Sequence, residues 1–185
     1  MVISYQQQET ITYPPATSLE EYLNHPLKNT EWVDGKIIEK TGMTLLHSKI
    51  QARVSYYWRN YMLSSGQGGE VYTEALCRTN KQGRRPDVAY LNKNLLAQYG
   101  NADFLQQSFP LIAEIASPDD SAEELFAKAK EYLESGCQEV WLIYPENQWI
   151  IILTKEKHLL LTLAETASTQ TILQGFSIAV TELFS

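Results

Sequence analysis

The chain has 185 residues, of which 44% are apolar and 11% aromatic, and its 15 basic and 22 acidic residues give a formal net charge of -7. A chain of this length buries roughly 70% of the surface that it would expose when unfolded, so we expect one domain that needs no disulfide or metal staple. The acidic balance excludes a protein that holds nucleic acid or an anionic membrane by overall charge.

The cysteines and the N-terminal residues indicate a cytoplasmic protein. Cys77 and Cys137 form no CxxC motif and there are only three histidines, which is not the pattern of a structural zinc site or a disulfide framework. Residues 1–8 have neither the basic nor the apolar region of an export signal, and no run of about 18 apolar residues occurs. We therefore expect no membrane contact.

The chain begins with a polar stretch and a short helix. Residues 1–16 contain three consecutive glutamines and two consecutive prolines, and we expect an irregular N-terminal arm there. Residues 17–185 are then a single domain. Ser18 and Glu21 have the spacing of a capping box, which predicts a helix that ends near His25.

A hairpin and a long helix are predicted next. Asp34-Gly35 favours the type I′ turn of a hairpin in which Val33 pairs with Lys36 and Glu31 pairs with Ile38. Between residues 44 and 64 an apolar residue recurs every four positions, which is typical of an amphipathic helix. The series consists of Leu46, Ile50, Val54, Trp58 and Met62.

The second half of the chain is rich in strands. Strands are predicted at 70–77, 86–91 and 110–116, and residues 78–85 are expected to form the loop between the first two. A capping box at Ser121 and Glu124 opens a helix that ends at Gly136. Apolar strands follow at 139–144, 149–153 and 158–162. This order predicts an α/β or α+β layer structure.

One predicted strand carries a carboxylate at its centre. Residues 111–116 are apolar except for Glu114, and burying an unpaired carboxylate costs several kcal/mol. Asp87 lies near the start of the preceding strand, and adjacent strands are about 4.8 Å apart. A divalent cation between the two would remove their repulsion, and all-oxygen ligation indicates Mg²⁺ or Mn²⁺. A structural salt bridge or an exposed edge position is the alternative.

The order and spacing of several short motifs resemble a known family. The motifs are Pro86-Asp87, Glu114 to Ser117, Lys128 with Tyr132, Gly136 to Pro145, and upstream residues 31–37 followed by His47. Over residues 18–153 they resemble the Uma family of putative restriction endonucleases, within the PD-(D/E)XK nuclease superfamily. The resemblance implies a restriction-endonuclease-like core, with a central mixed β-sheet flanked by helices, and metal-dependent phosphodiester hydrolysis.

The resemblance also assigns roles to residues. Asp87 and Glu114 match the metal-binding carboxylates, and Glu31 matches an acidic residue contributed from upstream. The usual lysine lies two positions after the second acid, but that position is an alanine here. The family pattern moves the lysine to the following helix, at Lys128. Helical periodicity by itself leaves Lys128 and Lys130 as alternatives.

Two further features remain open on sequence alone. Four basic residues shortly before Asp87 would suit either a solvated loop or a rim that contacts nucleic-acid phosphates. They are Arg78, Lys81, Arg84 and Arg85. His47 is expected to cap or pack at the start of the long helix, because a lone histidine is weak evidence for catalysis.

The sequence therefore predicts a Mg²⁺-dependent endonuclease with DNA as its expected substrate, and a homodimer in contact through the apolar C-terminal strands. A non-catalytic interaction module is one alternative, with its carboxylates paired to Lys128 or Arg85. A metal-free hydrolase with an acid/base pair of carboxylates, as in glycoside cleavage, is another. The metal-free hydrolase is disfavoured, because carbohydrate clefts usually need exposed aromatic residues near the acids and the tryptophans here mostly fall in core-like patterns.

Overall fold

A computed structural model describes residues 18–185, so the arm expected at 1–16 lies outside the described residues. Its helices are α1 Leu19–Asn24, α2 Leu45–Ser64, α3 Lys93–Tyr99, α4 Ala122–Glu134 and α5 Val180–Phe184. The first six strands are β1 Thr30–Val33, β2 Lys36–Glu39, β3 Glu70–Thr73, β4 Cys77–Arg78, β5 Gly83–Arg84 and β6 Val88–Leu91. The remaining strands are β7 Leu111–Ile115, β8 Glu139–Tyr144, β9 Trp149–Thr154, β10 His158–Leu161, β11 Thr166–Ser168 and β12 Ser177–Ala179.

Six strands form the central sheet in the order β10-β9-β8-β7-β6-β3. The pair β7 and β8 is parallel and the other neighbours are antiparallel, so the sheet is mixed. Helix α2 packs on one face and α4 on the other, each with its own apolar cluster. The expected fold, a mixed sheet flanked by helices, is confirmed.

Strand β7 is buried along its whole length and separates the two clusters. Leu111, Ala113 and Ile115 belong to the cluster under α2, whereas Ile112 belongs to the cluster under α4. Side chains alternate between the faces of a strand, so Glu114 points to the α4 side. The carboxylate is therefore buried beneath a helix rather than at an exposed edge.

A second sheet contains the predicted hairpin and lies in the order β2-β1-β5-β4. The hairpin has the expected register, and Asp34 and Gly35 have φ angles of 49° and 80°, as a type I′ turn requires. The loop expected at 78–85 is instead a short hairpin, β4 and β5, that pairs with β1. These strands were not predicted because the segment is polar and only Cys77 and Gly83 are buried in them.

Helix α2 corrects one detail of the predicted apolar face. Leu46 is 40% exposed, and His47 occupies the first position of the buried series that continues at Ile50 and Val54. The N-cap is Thr44, whose side chain accepts a hydrogen bond from the backbone N–H of His47. A polar residue therefore begins the buried stripe of the helix.

Other differences concern boundaries. The strand predicted at 70–77 is two strands in different sheets, since β3 ends before Glu74, which has a φ of 54°. Helix α3, the pair β11 and β12, and α5 were not predicted, because they are short and lack a clear period. None of the helices described is long and apolar enough to span a membrane.

Candidate active site

A cavity of about 630 Å³ opens where the two sheets meet α2 and α4. The hairpin sheet contributes Glu31, the central sheet contributes Asp87 and Glu114, and α4 contributes Lys128. The structure thus brings together four residues that lie as much as 97 positions apart in the sequence. Their catalytic roles remain predictions.

Asp87 is fixed by the strand beside it. It directly precedes β6, and the pairing of Val88 with Ala113 places it next to Glu114 on β7. Its Oδ2 accepts a hydrogen bond from the backbone N–H of Ile115 at 2.7 Å and lies 3.2 Å from Nε2 of His47. Its other oxygen, Oδ1, lies 2.9 Å from the ammonium of Lys40.

Glu114 repeats this pattern. Its Oε1 accepts a hydrogen bond from the hydroxyl of Tyr132 at 2.7 Å, and its Oε2 lies 3.0 Å from the ammonium of Lys128. Asp87 and Glu114 therefore each have one oxygen held by the surrounding scaffold and one oxygen bound by a lysine. The lysine-bound oxygens are the ones available to exchange partners.

Lys128 bridges two carboxylates. Its ammonium lies 3.0 Å from Glu114 and 3.1 Å from Oε1 of Glu31, and its side chain is 15% exposed. Lys130, the alternative on the same helix, is 77% exposed and lies 3.8 Å from Glu134. The fold therefore directs Lys128 into the cavity and Lys130 toward solvent.

Glu31 is held by the neighbouring strand of the hairpin sheet. Its Oε2 lies 3.0 Å from the guanidinium of Arg84, and its Oε1 accepts the backbone N–H of Arg85 at 2.8 Å. Arg84 also contacts Glu131 of α4 at 2.6 Å. This ion-pair chain ties the hairpin sheet to α4 along the cavity wall.

The four basic residues before Asp87 divide into two pairs. Arg84 is 13% exposed and paired as described, and the guanidinium of Arg85 donates to the carbonyl oxygens of Thr30 and Glu74. Arg78 pairs with Glu20 at the surface, and Lys81 is exposed. Arg84 and Arg85 thus use their donors inside the protein, and phosphate contact by these four residues remains a prediction.

Three residues in or beside the cavity were not predicted as site residues: Lys40 and His47 line it, and Glu74 lies behind Lys40. Lys40 follows β2 and contacts Asp87, Glu74 lies after β3 and contacts Lys40 at 2.6 Å, and His47 contacts Asp87. His47 had a detectable signal, because it lies three residues before Ile50 in the buried stripe of α2. Nothing in the local sequence marks Lys40 or Glu74, whose approach depends on tertiary packing.

The environment pushes the pKa values of the carboxyls in opposite directions. Burial raises the pKa of Glu114 to about 7, against the opposing charge of Lys128. Burial acts in the same sense on Asp87, but Lys40 and His47 outweigh it and lower the pKa of Asp87 well below its usual range. Burial is likewise outweighed at Glu31, where Lys128 and Arg84 lower the pKa to about 2. Such divergence is typical of functional sites.

The donor chemistry of the site fits a hard divalent cation. Ion pairs link five carboxyl groups to three lysine and arginine side chains here, so the acidic groups of this network outnumber its permanent cations by two. The carboxylates are those of Glu31, Glu74, Asp87, Glu114 and Glu131, and the cations are Lys40, Arg84 and Lys128. Within residues 18–185, however, no three carboxylate, histidine or cysteine side chains already form a metal-binding group. The oxygen of Asp87 and the oxygen of Glu114 that would face such an ion are each bound by a lysine.

Comparison with known proteins agrees with this architecture. A family model described as Uma2, putative restriction endonuclease, matches residues 17–181. The chain is also similar to a crystal structure of a putative nuclease belonging to DUF820 from Anabaena variabilis. That match has a TM-score of 0.80 at 21% identity and covers 90% of this chain and 97% of the other, which shows a shared fold. No curated protein matches the chain.

Proposed function

We infer that this chain, which belongs to the Uma2 family of putative restriction endonucleases, is a Mg²⁺-dependent endonuclease that hydrolyses phosphodiester bonds of DNA. Family membership supports a nuclease function. One observation carries the finer proposal: Asp87, directly before β6, lies beside Glu114 on β7, both line the same cavity, and each offers an oxygen to a cationic partner.

The carboxylates are suited to hold the ion. Asp87 and Glu114, with Glu31 from the hairpin, would bind Mg²⁺ or Mn²⁺ through oxygen atoms. The bound ion would lower the pKa of a water molecule and neutralise charge on the scissile phosphate. The backbone N–H of Ile115 and the hydroxyl of Tyr132 fix one oxygen of each carboxylate, so the orientation of both is set before substrate arrives.

Lys128 is the residue that acts on the phosphate or the attacking water. Its ammonium lies at the cavity wall between Glu114 and Glu31 and is nearly withdrawn from solvent. The surrounding carboxylates outweigh the effect of burial and raise the pKa of Lys128, so it stays protonated at neutral pH. A fixed positive charge at that place stabilises negative charge on the phosphoryl oxygens in the transition state.

Substrate phosphates need positive charge outside the cavity, because the lining is rich in acids. Asp119, Asp120 and Glu124 add to the carboxylates described above. Of the four basic residues proposed as phosphate contacts, Arg78 and Lys81 lie at the surface and can meet a nucleic acid backbone without breaking an internal contact of the cavity.

Cleavage assays test the proposal. Supercoiled DNA, single-stranded DNA and RNA of matched sequence are incubated with Mg²⁺ or with chelator, and wild type is compared with Asp87→Asn and Glu114→Gln. Glu134→Gln, an exposed acid on α4, is the matched control. We expect cleavage of DNA by wild type and the control, and none by the two variants or in chelator. Cleavage that survives the chelator would contradict metal dependence, and preferred cleavage of RNA would replace DNA as the substrate.

A non-catalytic module is the second candidate, and one observation favours it. Both oxygens of Asp87 and of Glu114 already have protein partners, as in a purely structural ion-pair network. The partners are Lys40, Lys128, His47, the hydroxyl of Tyr132 and the backbone N–H of Ile115, whereas Arg85 contacts neither carboxylate. Calorimetric titration with Mn²⁺ distinguishes the two candidates, since the module would show no binding that depends on Asp87 and Glu114.

The homodimer is proposed at the edge of the central sheet. Strand β10 is the last in its sheet, and β9 is its partner in the part of the chain that the structure describes. Leu160 on this strand is 52% exposed. An open edge with apolar side chains favours pairing with a second copy. Sedimentation analysis should give a dimer for wild type and a monomer for Leu160→Lys.

A further inference from the structure

Lys40 is held in the cavity wall like a bound cation. Its ammonium donates to Oε2 of Glu74 at 2.6 Å, to the carbonyl oxygen of Arg85 at 2.8 Å and to Oδ1 of Asp87 at 2.9 Å. The side chain is 15% exposed and lines the cavity. An ammonium has three donors, and all three are used here by oxygen atoms.

Lys40 contacts Oδ1 of Asp87, the carboxylate oxygen that neither the backbone of β7 nor His47 binds. Oδ2 already accepts the backbone N–H of Ile115 and faces His47, so a metal ion at Asp87 would have to use Oδ1. Lys40 occupies that oxygen. An ammonium and a divalent ion cannot both bind there at contact distance, because their charges repel strongly in a partly buried site.

We propose that Lys40 is a resident counter-cation that a divalent ion displaces from Asp87, and that Glu74 is the carboxylate that retains the lysine afterwards. This inference rests on the proposed function, since it concerns how the same site admits its metal. Lys40 holds Oδ1 of Asp87 in place before the ion arrives, and it makes the metal site conditional on a side-chain movement.

Glu74 is well placed to retain the lysine. Its contact with Lys40 is the shortest of the three, and its second oxygen, Oε1, accepts a hydrogen bond from Nε2 of Gln51 at 3.0 Å. The same amide nitrogen donates to the carbonyl oxygen of Asp87 at 2.9 Å, which fixes Glu74 relative to the site. On leaving Asp87, Lys40 would keep two of its three acceptors, those of Glu74 and Arg85.

Calorimetric titration of the full chain with Mg²⁺ and with Mn²⁺ tests the exchange. Lys40→Met should bind the ion at least tenfold more tightly than wild type, because the competitor for Oδ1 is gone. Lys130→Met is the control, since it makes the same substitution at an exposed lysine that pairs with Glu134 and not with Asp87, and its affinity should change by less than about threefold. Affinity of Lys40→Met equal to that of wild type, or equal to that of Lys130→Met, would overturn the proposal.

Thermal unfolding in chelator provides a readout without metal. Lys40→Met should melt several degrees below wild type, because Asp87 and Glu74 lose their shared counter-charge, and added Mg²⁺ should restore the loss. If Lys40→Met does not fold, Lys40→Gln takes its place, since it keeps a donor but carries no charge. Unchanged melting in chelator would show that Lys40 does not act as a counter-cation.

A double-mutant cycle tests the role of Glu74. Glu74→Gln should weaken metal binding in wild type, because the displaced lysine loses its anchor, but should change it by less than about twofold in the Lys40→Met background. Additive effects would mean that Glu74 acts by its own charge and not through Lys40. If neither wild type nor Lys40→Met binds an ion, the metal-dependent function falls together with the inference. If wild type binds and Lys40→Met binds no more tightly, the inference alone fails.

Discussion

The ammonium nitrogen of Lys128 lies 3.0 Å from Oε2 of Glu114, although the lysine belongs to a helix and the acid to the strand beneath it. Their contact depends on the packing of α4 against the central sheet, where Leu125 and Tyr132 are buried on either side of the lysine along the helix. The positive charge is therefore supplied by tertiary packing and not by the strand that carries the acid.

This geometry predicts unequal effects of two lysine substitutions. Lys128→Met should reduce DNA cleavage by roughly 100-fold or more, since it removes the fixed charge beside Glu114. Lys130→Met should stay within about twofold of wild type, because an exposed pair with Glu134 contributes little. Initial rates on plasmid DNA, with circular dichroism to verify folding, make the comparison. Equal loss in both variants would refute the assignment of Lys128.

The choice between Lys128 and Lys130 depends on which apolar residues of α4 are buried. Phe126 and Leu133 shift the apparent apolar face toward one flank, but Phe126 is 41% exposed. The residues buried in α4 are Leu125, Ala129 and Tyr132. From the middle of that face Lys128 lies about 65° away and Lys130 about 135° at 100° per residue. Which apolar residues are buried is set by tertiary packing, so periodicity alone could not decide.

Features that depend on local sequence could be predicted, whereas contacts that depend on tertiary packing could not. The hairpin at Asp34-Gly35 and the cap at Ser121 depend on local chemistry, and both were predictable. Lys40 and Glu74 meet Asp87 only because β2, β3 and β6 converge, and no local pattern marks such a meeting. The sequence therefore does not predict the long-range ion pairs of this site.

Two tyrosines offer a matched pair of substitutions. Tyr132→Phe removes a buried hydrogen bond to Glu114 and should lower the free energy of unfolding by about 1 to 2 kcal/mol. Tyr144→Phe should change it by less than about 0.5 kcal/mol, because the buried hydroxyl of Tyr144 has no hydrogen-bond partner within residues 18–185. Urea unfolding of both variants measures the difference. A larger loss for Tyr144→Phe would contradict the hydrogen-bond assignment.

Glu139 holds the C-terminal segment to the central sheet. Its fully buried carboxylate accepts hydrogen bonds from Trp141 at 2.7 Å and from the backbone N–H groups of Gln170 and Thr171 at 2.7 and 2.9 Å. Glu139→Gln replaces one acceptor by a donor and should cost about 2 kcal/mol of unfolding free energy.

The matched control for Glu139 is Glu165, an exposed carboxylate that accepts the backbone N–H of Thr162 at 2.7 Å in a turn. Glu165→Gln should cost less than about 1 kcal/mol, because water replaces the lost acceptor. Hydrogen exchange at the amides of residues 170 and 171 should accelerate only in Glu139→Gln. Equal exchange in both variants would show that Glu139 does not anchor this segment.

The raised pKa of Glu114 predicts a pH-dependent difference in stability. Burial raises this pKa from an ordinary value of 4.5 to about 7, so between these values the folded protein binds more protons than the unfolded chain. Wild type therefore loses stability as pH rises from about 4.5 through 7, and Glu114→Gln, which cannot titrate, avoids that loss. In chelator, the unfolding free energy of Glu114→Gln relative to wild type should rise by up to about 3 kcal/mol between pH 4.5 and 8.

The exposed Glu124, whose hydrogen bonds to Ser121 lower its pKa, is the control, and Glu124→Gln should give a constant difference between pH 5.5 and 8. A difference for Glu114→Gln that stays constant or falls with pH would show that folding does not raise the pKa of Glu114.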